Sequence, residues 1–311
     1  MIAWFSKQMR LRRRRRGCGT HHGQGKKVKT VIPDVSPVTS PRACCIHVLQ
    51  FNGCSIAAHL TKIKSRILQE EPQLVLIVQE DWLDDSFGYK IPDYHWIHST
   101  RTIGRSQDKI RGGGVLILIQ KDPYLSFERL HFPENDDLEM TDMAAVRLYH
   151  RSPAGLTVID TVNLYHPPIS SSPRDSRPST FNLQSFMRPL CEGNDQLPYD
   201  NRAILFCGDV NAYSKLWDTH TPEDNIGKHI ESILLDYGFA IDNDGNATYH
   251  ARHCRTAPDL TTHRGDIFVE NWTRQEPIGK NHHNVLSYDI VIPFSILPSN
   301  PLPHTTSSSS T

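Results

Sequence analysis

Residues Leu205-Phe206-Cys207-Gly208-Asp209-Val210-Asn211 end an apolar run in a carboxylate and a carboxamide. Read as a buried strand, the run delivers both groups to its carboxyl-end rim. Side chains two apart on an extended strand point the same way, so Asp209 and Asn211 are expected to converge. A carboxylate beside a neutral amide suits a hydrated phosphate, because one group orients water and the other donates to an oxygen. Taken alone, Gly-Asp-x-Asn also describes an ordinary β-turn, so its company decides.

That company is a series of polar groups at the ends of other apolar runs. Asn52 follows Val48-Leu49-Gln50-Phe51, Glu80 follows the run at 74–79, and Tyr165 follows Val162-Asn163-Leu164. Asp259 lies in Ala257-Pro258-Asp259-Leu260-Thr261, and Asp289 reads as the residue that opens the last strand. Gathered at one mouth of a sheet sandwich, such groups suit phosphodiester hydrolysis. The substrate is polyanionic and resists hydroxide, whereas a hard divalent cation on carboxylates neutralises charge and activates water. Glu80 is the first choice for a Mg²⁺ ligand and Asp209 for the base that orients water. Asn52 and Asn211 can hold phosphate oxygens without adding repulsion, and the Tyr165 hydroxyl can support a leaving or non-bridging oxygen.

The elements that must position these groups follow from periodicity. Residues 45–51, 74–78, 115–119, 203–207 and 290–294 read as strands, and 143–149 with 156–164 as a hairpin about Ser152-Pro153-Ala154-Gly155. Ile56, Leu60, Ile63 and Ile67 form a helical stripe closed by Pro72. Further helices are expected over 178–190 and over 226–237, the latter capped by Gly238. Many strands, few helices and long polar loops favour an α/β protein with two packed sheets and helices outside, rather than a doubly wound sheet. Gly112-Gly113-Gly114 reads as a turn before a strand, since no Lys-Ser/Thr continuation follows it. His250, His253 and Cys254 lack a fourth partner at structural-zinc spacing. Trp217 is read as core packing in preference to a wedge facing DNA.

Charge is unevenly placed along the 311 residues, although it sums to zero. Of the 34 Lys and Arg, ten lie in residues 1–30, which hold no Asp or Glu; the remaining 24 face all 34 acids. The organisation expected is a disordered basic arm and Pro/Ser/Thr linker over 1–42, one catalytic domain over 43–294, and a disordered tail over 295–311. Arg12 to Arg16 suit a nuclear or nucleic-acid arm, with a mitochondrial leader as the alternative. Seven cysteines without framework spacing suggest reduced thiols. No run is long and apolar enough to suggest a membrane span.

In order, Gln-Phe-Asn, Gln-Glu, Asn-Leu-Tyr-x-Pro-Pro, Gly-Asp-Val-Asn-Ala and Ala-Pro-Asp-Leu-Thr resemble the endonuclease/exonuclease/phosphatase superfamily. The chain looks most like the apurinic-type endonuclease domain of non-LTR retrotransposons of the trypanosomatid ingi kind. The blocks at 111–118, 211–218 and 243–248 fit that subgroup. The resemblance spans about residues 44–294. It implies a four-layer α/β/β/α sandwich, Mg²⁺ or Mn²⁺, and nicking of DNA. It matches Asn52 to the first-strand asparagine, Glu80 to the metal-binding glutamate and Tyr165 to the active-site tyrosine. Asp209 and Asn211 match the catalytic aspartate and its asparagine, and Asp259 the aspartate that orients a catalytic histidine.

The last motif departs from the pattern. The superfamily's Ser-Asp-His supplies a histidine for the scissile phosphate and an aspartate that supports the metal site. Here the chain reads Ser287-Tyr288-Asp289-Ile290. Asp289 either replaces the histidine or keeps the aspartate's role, and neither alignment retains an imidazole; His282 and His283 lie upstream of the motif. Cys54 also stands where many relatives carry a polar residue of the metal shell. The expectation is therefore a monomeric, metal-dependent DNA endonuclease weakened by the missing histidine, with any reverse transcriptase encoded elsewhere. The rival is a nucleic-acid-binding remnant without turnover, and a phosphatase of the superfamily is weaker.

Overall fold

Strand β1 (Cys44–Asn52) shows how this sequence builds layers. Ile46 and Val48 turn to one side, Leu49 and Phe51 to the other, and all four are buried. A strand buried on both faces requires cover on both. The computed structural model describes residues 44–54, 56–78, 91–99, 114–132, 141–152, 155–168, 183–192 and 202–293. Glu80 and the expected tails lie outside them.

One six-stranded sheet holds β1 with β2 (Leu74–Val78), β3 (Tyr94–Ser99), β4 (Val115–Gln120), β13 (Phe268–Gln275) and β14 (Val285–Ile292), in the order β13-β14-β1-β2-β4-β3. The second holds β5 (Leu125–Arg129), β6 (Asp142–Ser152), β7 (Gly155–Tyr165), β8 (Arg202–Asp209), β9 (Ala240–Ile241) and β12 (Asp259–Arg264), in the order β5-β6-β7-β8-β12-β9. Strands β10 (Tyr249–Ala251) and β11 (Cys254–Thr256) form a separate hairpin. In the two large sheets β1–β2 and β7–β8 are parallel and the other described pairs antiparallel.

Helix α1 (Ile56–Glu70) carries the expected stripe. Ile56, Ile63 and Ile67 cover Leu49, Phe51, Val75 and Leu116 on the outer face of the first sheet. Helices α2 (Leu183–Glu192) and α3 (Asn225–Asp236) cover Val162, Leu164, Ile204 and Phe206 on the outer face of the second. Between the sheets lie Ile46, Val48, Leu76, Ile117, Val146, Ile159, Leu205 and Tyr288. This is the α/β/β/α sandwich expected. Trp217 is fully buried among the α3-side residues and donates from Nε1 to the Ala212 carbonyl at 3.1 Å, so it is a core residue.

The last strand departs from expectation. It starts at Val285, not Ile290, so Asp289 lies inside β14 and does not open it. Its Ser287-Tyr288 step is buried, which masks the alternation that would have marked an earlier start. Strands β3, β5, β9, β11 and β13 are short or exposed, and sequence periodicity gave no signal for them.

Candidate active site at the strand-end rim

Register places four groups in a row across the second sheet: Asp142 faces Tyr165, Tyr165 faces Asp209, and Asp209 faces Asp259. Registered partners lie on one face. Tyr165 and Cys207, two residues before Asp209, belong to the core between the sheets, so this row points inward at its rim. Asn52, the last residue of β1, reaches it from the opposite sheet. Its Nδ2 donates to Asp209 Oδ2 at 3.0 Å, while its Oδ1 accepts the Cys54 N–H at 3.0 Å.

Asp209 leaves β8 through a tight passage. Gly208 has φ +155°, and a Cβ there would sit 2.0 Å from the Leu164 carbonyl oxygen. Only glycine allows β8 to lie this close to β7. Asn211 then takes φ +43°, a left-handed turn that asparagine tolerates. The expected mechanism of convergence therefore fails, because Asn211 is not on an extended strand. The pair meets by turning: the Asn211 N–H donates to Asp209 Oδ1 at 3.2 Å, and Asn211 Nδ2 donates to the His166 carbonyl at 2.9 Å.

Asp259 opens β12 and holds a histidine that the motif alignment did not select. His283 Nδ1 lies 3.1 Å from Asp259 Oδ2, and His283 Nε2 lies 3.9 Å from Asp209 Oδ2. Thr248, fully buried, donates from Oγ1 to the same Asp259 Oδ2 at 2.5 Å. Tyr249 packs edge-on against His283, with ring centroids 4.7 Å apart, and bridges to its backbone. Asn281 Nδ2 donates to the Asn52 carbonyl, and its Oδ1 accepts the His283 N–H at 3.1 Å, which ties the histidine loop to the end of β1.

Asp289 is not part of this assembly. It is registered with His47, five positions back along β1 from Asn52, or roughly 16 Å at strand rise. Its carboxylate bonds His47 Nδ1 at 2.9 Å and Asn271 Nδ2 at 2.7 Å. Asp289 is therefore corrected as both catalytic residue and metal ligand. The error came from anchoring the final motif on Ser287. Anchored on His283, Asn281-His282-His283 stands against Ser-Asp-His, and the departure becomes His282 in place of the aspartate. The signal available in the sequence was an imidazole just before the last apolar strand. Thr248 had no signal beyond its block.

A second polar layer lies two residues behind the first. Gln50 Oε1 accepts from Thr261 Oγ1 at 3.0 Å and from Tyr288 OH at 3.1 Å, and Gln50 Nε2 donates to the Leu260 carbonyl at 3.0 Å. Cys207 Sγ lies 3.3 Å from the Tyr288 hydroxyl, and Asn163 Nδ2 donates to the Ile77 and Leu116 carbonyls. Gln50, Cys207, Thr261 and Asn163 each stand two positions from Asn52, Asp209, Asp259 and Tyr165. The rim thus rests on a bonded floor that joins the sheets.

Burial and the neighbouring Asp259 push the Asp209 carboxyl up to about 7, opposed by His283, by the Asn52 amide and by the Asn211 N–H. Ligand atoms of Asp209, Asp259 and His283 all lie within 4.8 Å of one another. Two carboxylates against one imidazole leave an excess of buried negative charge, which a divalent cation would relieve. The Asn52 side-chain Oδ1 has two lone pairs, of which the Cys54 N–H uses one. The residues present thus fit a cation. Among the described residues His250, His253 and Cys254 form no such cluster.

Comparison with known proteins agrees with this fold. Residues 159–286 match the family described as Endonuclease-reverse transcriptase. The endonuclease domain of TRAS1, a telomere-specific non-LTR retrotransposon, superposes with TM-score 0.57 at 19% identity, covering 80% of this chain and 99% of that one. The AP endonuclease LMAP from Leishmania major gives TM-score 0.57 at 10% identity, over 86% of this chain and 93% of that one. The Neisseria 3′ phosphatase NExo, bound to a product DNA hairpin, gives 0.53 at 12% identity, over 78% and 98%. No curated protein matches the chain. Residues 159–286 are thus similar to that family, and the sandwich is the fold this chain shares with these structures.

Proposed function

We propose that this chain is a divalent-metal-dependent endonuclease that nicks DNA, and that His283 is its catalytic imidazole. The observation that carries the reading is the relay from Asp259 through His283 toward Asp209, at 3.1 and 3.9 Å. Asp259, itself held by the Thr248 hydroxyl, fixes Nδ1 of His283 and leaves Nε2 facing the Asp209 carboxylate. Asp209, with its raised affinity for protons, accepts one from the attacking water as the water oxygen bonds phosphorus and the P–O bond to the leaving oxygen breaks, that oxygen taking its proton from solvent. Nε2 of His283 donates to a non-bridging phosphoryl oxygen as negative charge builds there. Asn52 orients Asp209, and Asn211 and Tyr165 border the phosphate. Mg²⁺ or Mn²⁺, held by Glu80 and Asn52, would supply Lewis acidity and neutralise charge.

The rival reading, a binding remnant without turnover, was motivated by the missing histidine. His283 removes that motive. DNA is the proposed partner, the nucleus the proposed location, and a monomer the proposed state.

The test is nicking of supercoiled plasmid and of an abasic duplex with Mg²⁺ or EDTA, beside His283→Ala and a Glu80→Ala/Asp209→Ala double variant. Cleavage should need metal, disappear in the double variant, and fall by roughly 10²–10⁴ in His283→Ala. Metal-independent cleavage, or wild-type nicking untouched by His283→Ala, would overturn the assignment. Salt-sensitive binding without any nicking would establish the remnant instead.

A further inference from the structure

The rim opposite the candidate active site holds a cavity of about 530 Å³, lined by Leu190, Cys191, Arg202, Ile204, Arg264, Gly265 and Asp266. It sits where the end of α2 meets the start of β8 and the end of β12. Arg202 and Asp209 stand at opposite ends of β8, roughly 23 Å apart at strand rise.

Among the described residues, two guanidinium groups line this cavity. The Arg202 side chain is only 6% exposed; its Nε donates to Asp160 Oδ2 at 2.6 Å and its Nη2 to the Leu190 carbonyl at 2.7 Å. Asp160 is fully buried and already shared with Arg147, whose Nε donates to it at 2.8 Å. One carboxylate therefore serves two arginines, and Glu128 reaches Arg147 only at 3.5 Å. Arg264 is registered with Ile204 on the next strand, on the α2-covered face that also holds Ile204 and Leu190. Its Nη1 is buried and has no acceptor among the described residues. Burying a charged donor without an acceptor costs more than most native interactions return.

The turn after Arg264 is built to hold it there. Gly265 takes φ +87°, and a Cβ on it would lie 2.8 Å from the Arg202 carbonyl oxygen, so this turn packs directly on the start of β8. Arg264 also bonds the Cys191 thiol, which leaves Nη1 as the donor without an acceptor among the described residues. Cavity size, the apolar wall of Leu190 and Ile204, and such a donor are features of small-ligand sites.

We propose that this cavity is an oxyanion-binding site, in which Arg264 and Arg202 take a phosphate group and Leu190 and Ile204 receive the apolar part of its carrier. The chemistry shared by free phosphate and a nucleotide phosphomonoester is a compact, multiply charged set of acceptors that guanidinium groups bind bidentately. The site is independent of the nuclease reading.

The test is calorimetric titration of the full chain in EDTA at constant ionic strength, with inorganic phosphate in one arm and a nucleoside 5′-monophosphate in the other. Saturable binding is expected in at least one arm; tighter binding of the nucleotide assigns the apolar wall to the carrier. Arg264→Gln should weaken binding about tenfold or more, as loss of one charge-assisted pair implies. Asp266→Asn, at an exposed position, removes an anion from the lining and should strengthen it. No saturable binding in either arm would overturn the proposal. So would binding kept undiminished in Arg264→Gln, or an affinity indifferent to Asp266→Asn.

Discussion

At the residue scale, the candidate site is a set of groups that hold one another. Thr248 is the clearest case, because its hydroxyl shares Asp259 Oδ2 with His283. Thr248→Val keeps shape and removes that donor, leaving Asp259 freer to rotate. Nicking is expected to fall by about tenfold while affinity for DNA is kept, a split that single-turnover assays with a binding titration would reveal. Asp209 makes a second prediction. Its folded value is about 7 against an ordinary 3.8, so between these limits the unfolded chain releases a proton that the folded chain keeps. Stability of the metal-free protein should therefore decline as pH rises through that interval. Asp209→Asn should flatten the decline and melt higher than wild type above pH 7. An unchanged profile, measured by thermal melts in EDTA, would refute the burial argument. Asp209, Asn52 and Asp259 were legible in the sequence because each ends or opens an apolar run. His283 was not, since it lies in a loop fixed by Asn281 and by packing on Tyr249, contacts that are remote along the chain.

At the element scale, the strand ends converge because two sheets are clamped behind them. Gln50 is the centre of that clamp, with bonds to Thr261, Tyr288 and the Leu260 carbonyl. Gln50→Leu would strand several buried polar groups, at about 1–3 kcal/mol. The melting temperature should drop by roughly 2–4 °C per kcal/mol for a domain of this size. Gly208→Ala should be harsher, since its new methyl would meet the β7 backbone; loss of soluble protein or of all nicking is expected, scored by expression and plasmid assay. Strands β1, β2, β4, β7 and β8 could be read from continuous apolar runs. The exposed edge strand β13 could not, because its burial pattern follows neighbours and not its own alternation. The start of β14 was missed for a related reason: buried Ser287 reads as polar in a sequence but sits in the floor of the sandwich.

At the scale of the whole molecule, charge is divided between a basic segment and an acidic remainder. Residues 1–30 hold ten cations and no anion, while the rest carries ten more acids than bases. If that segment carries DNA affinity, its removal should make the dependence of log K on log salt shallower by about 0.9 per lost phosphate contact, while plasmid nicking at low salt persists. An identical slope in the truncated protein would assign affinity to the folded part. No described helix is long and apolar enough to cross a membrane.

The Asn52–Asp209 bond makes the Asp209 carboxylate joint property of both halves of the sandwich. A slight splaying of the halves, too small to melt either one, would already release that carboxylate from its partner. Gentle heating or dilute urea should therefore silence the protein while its circular dichroism still looks native, and cooling should restore it.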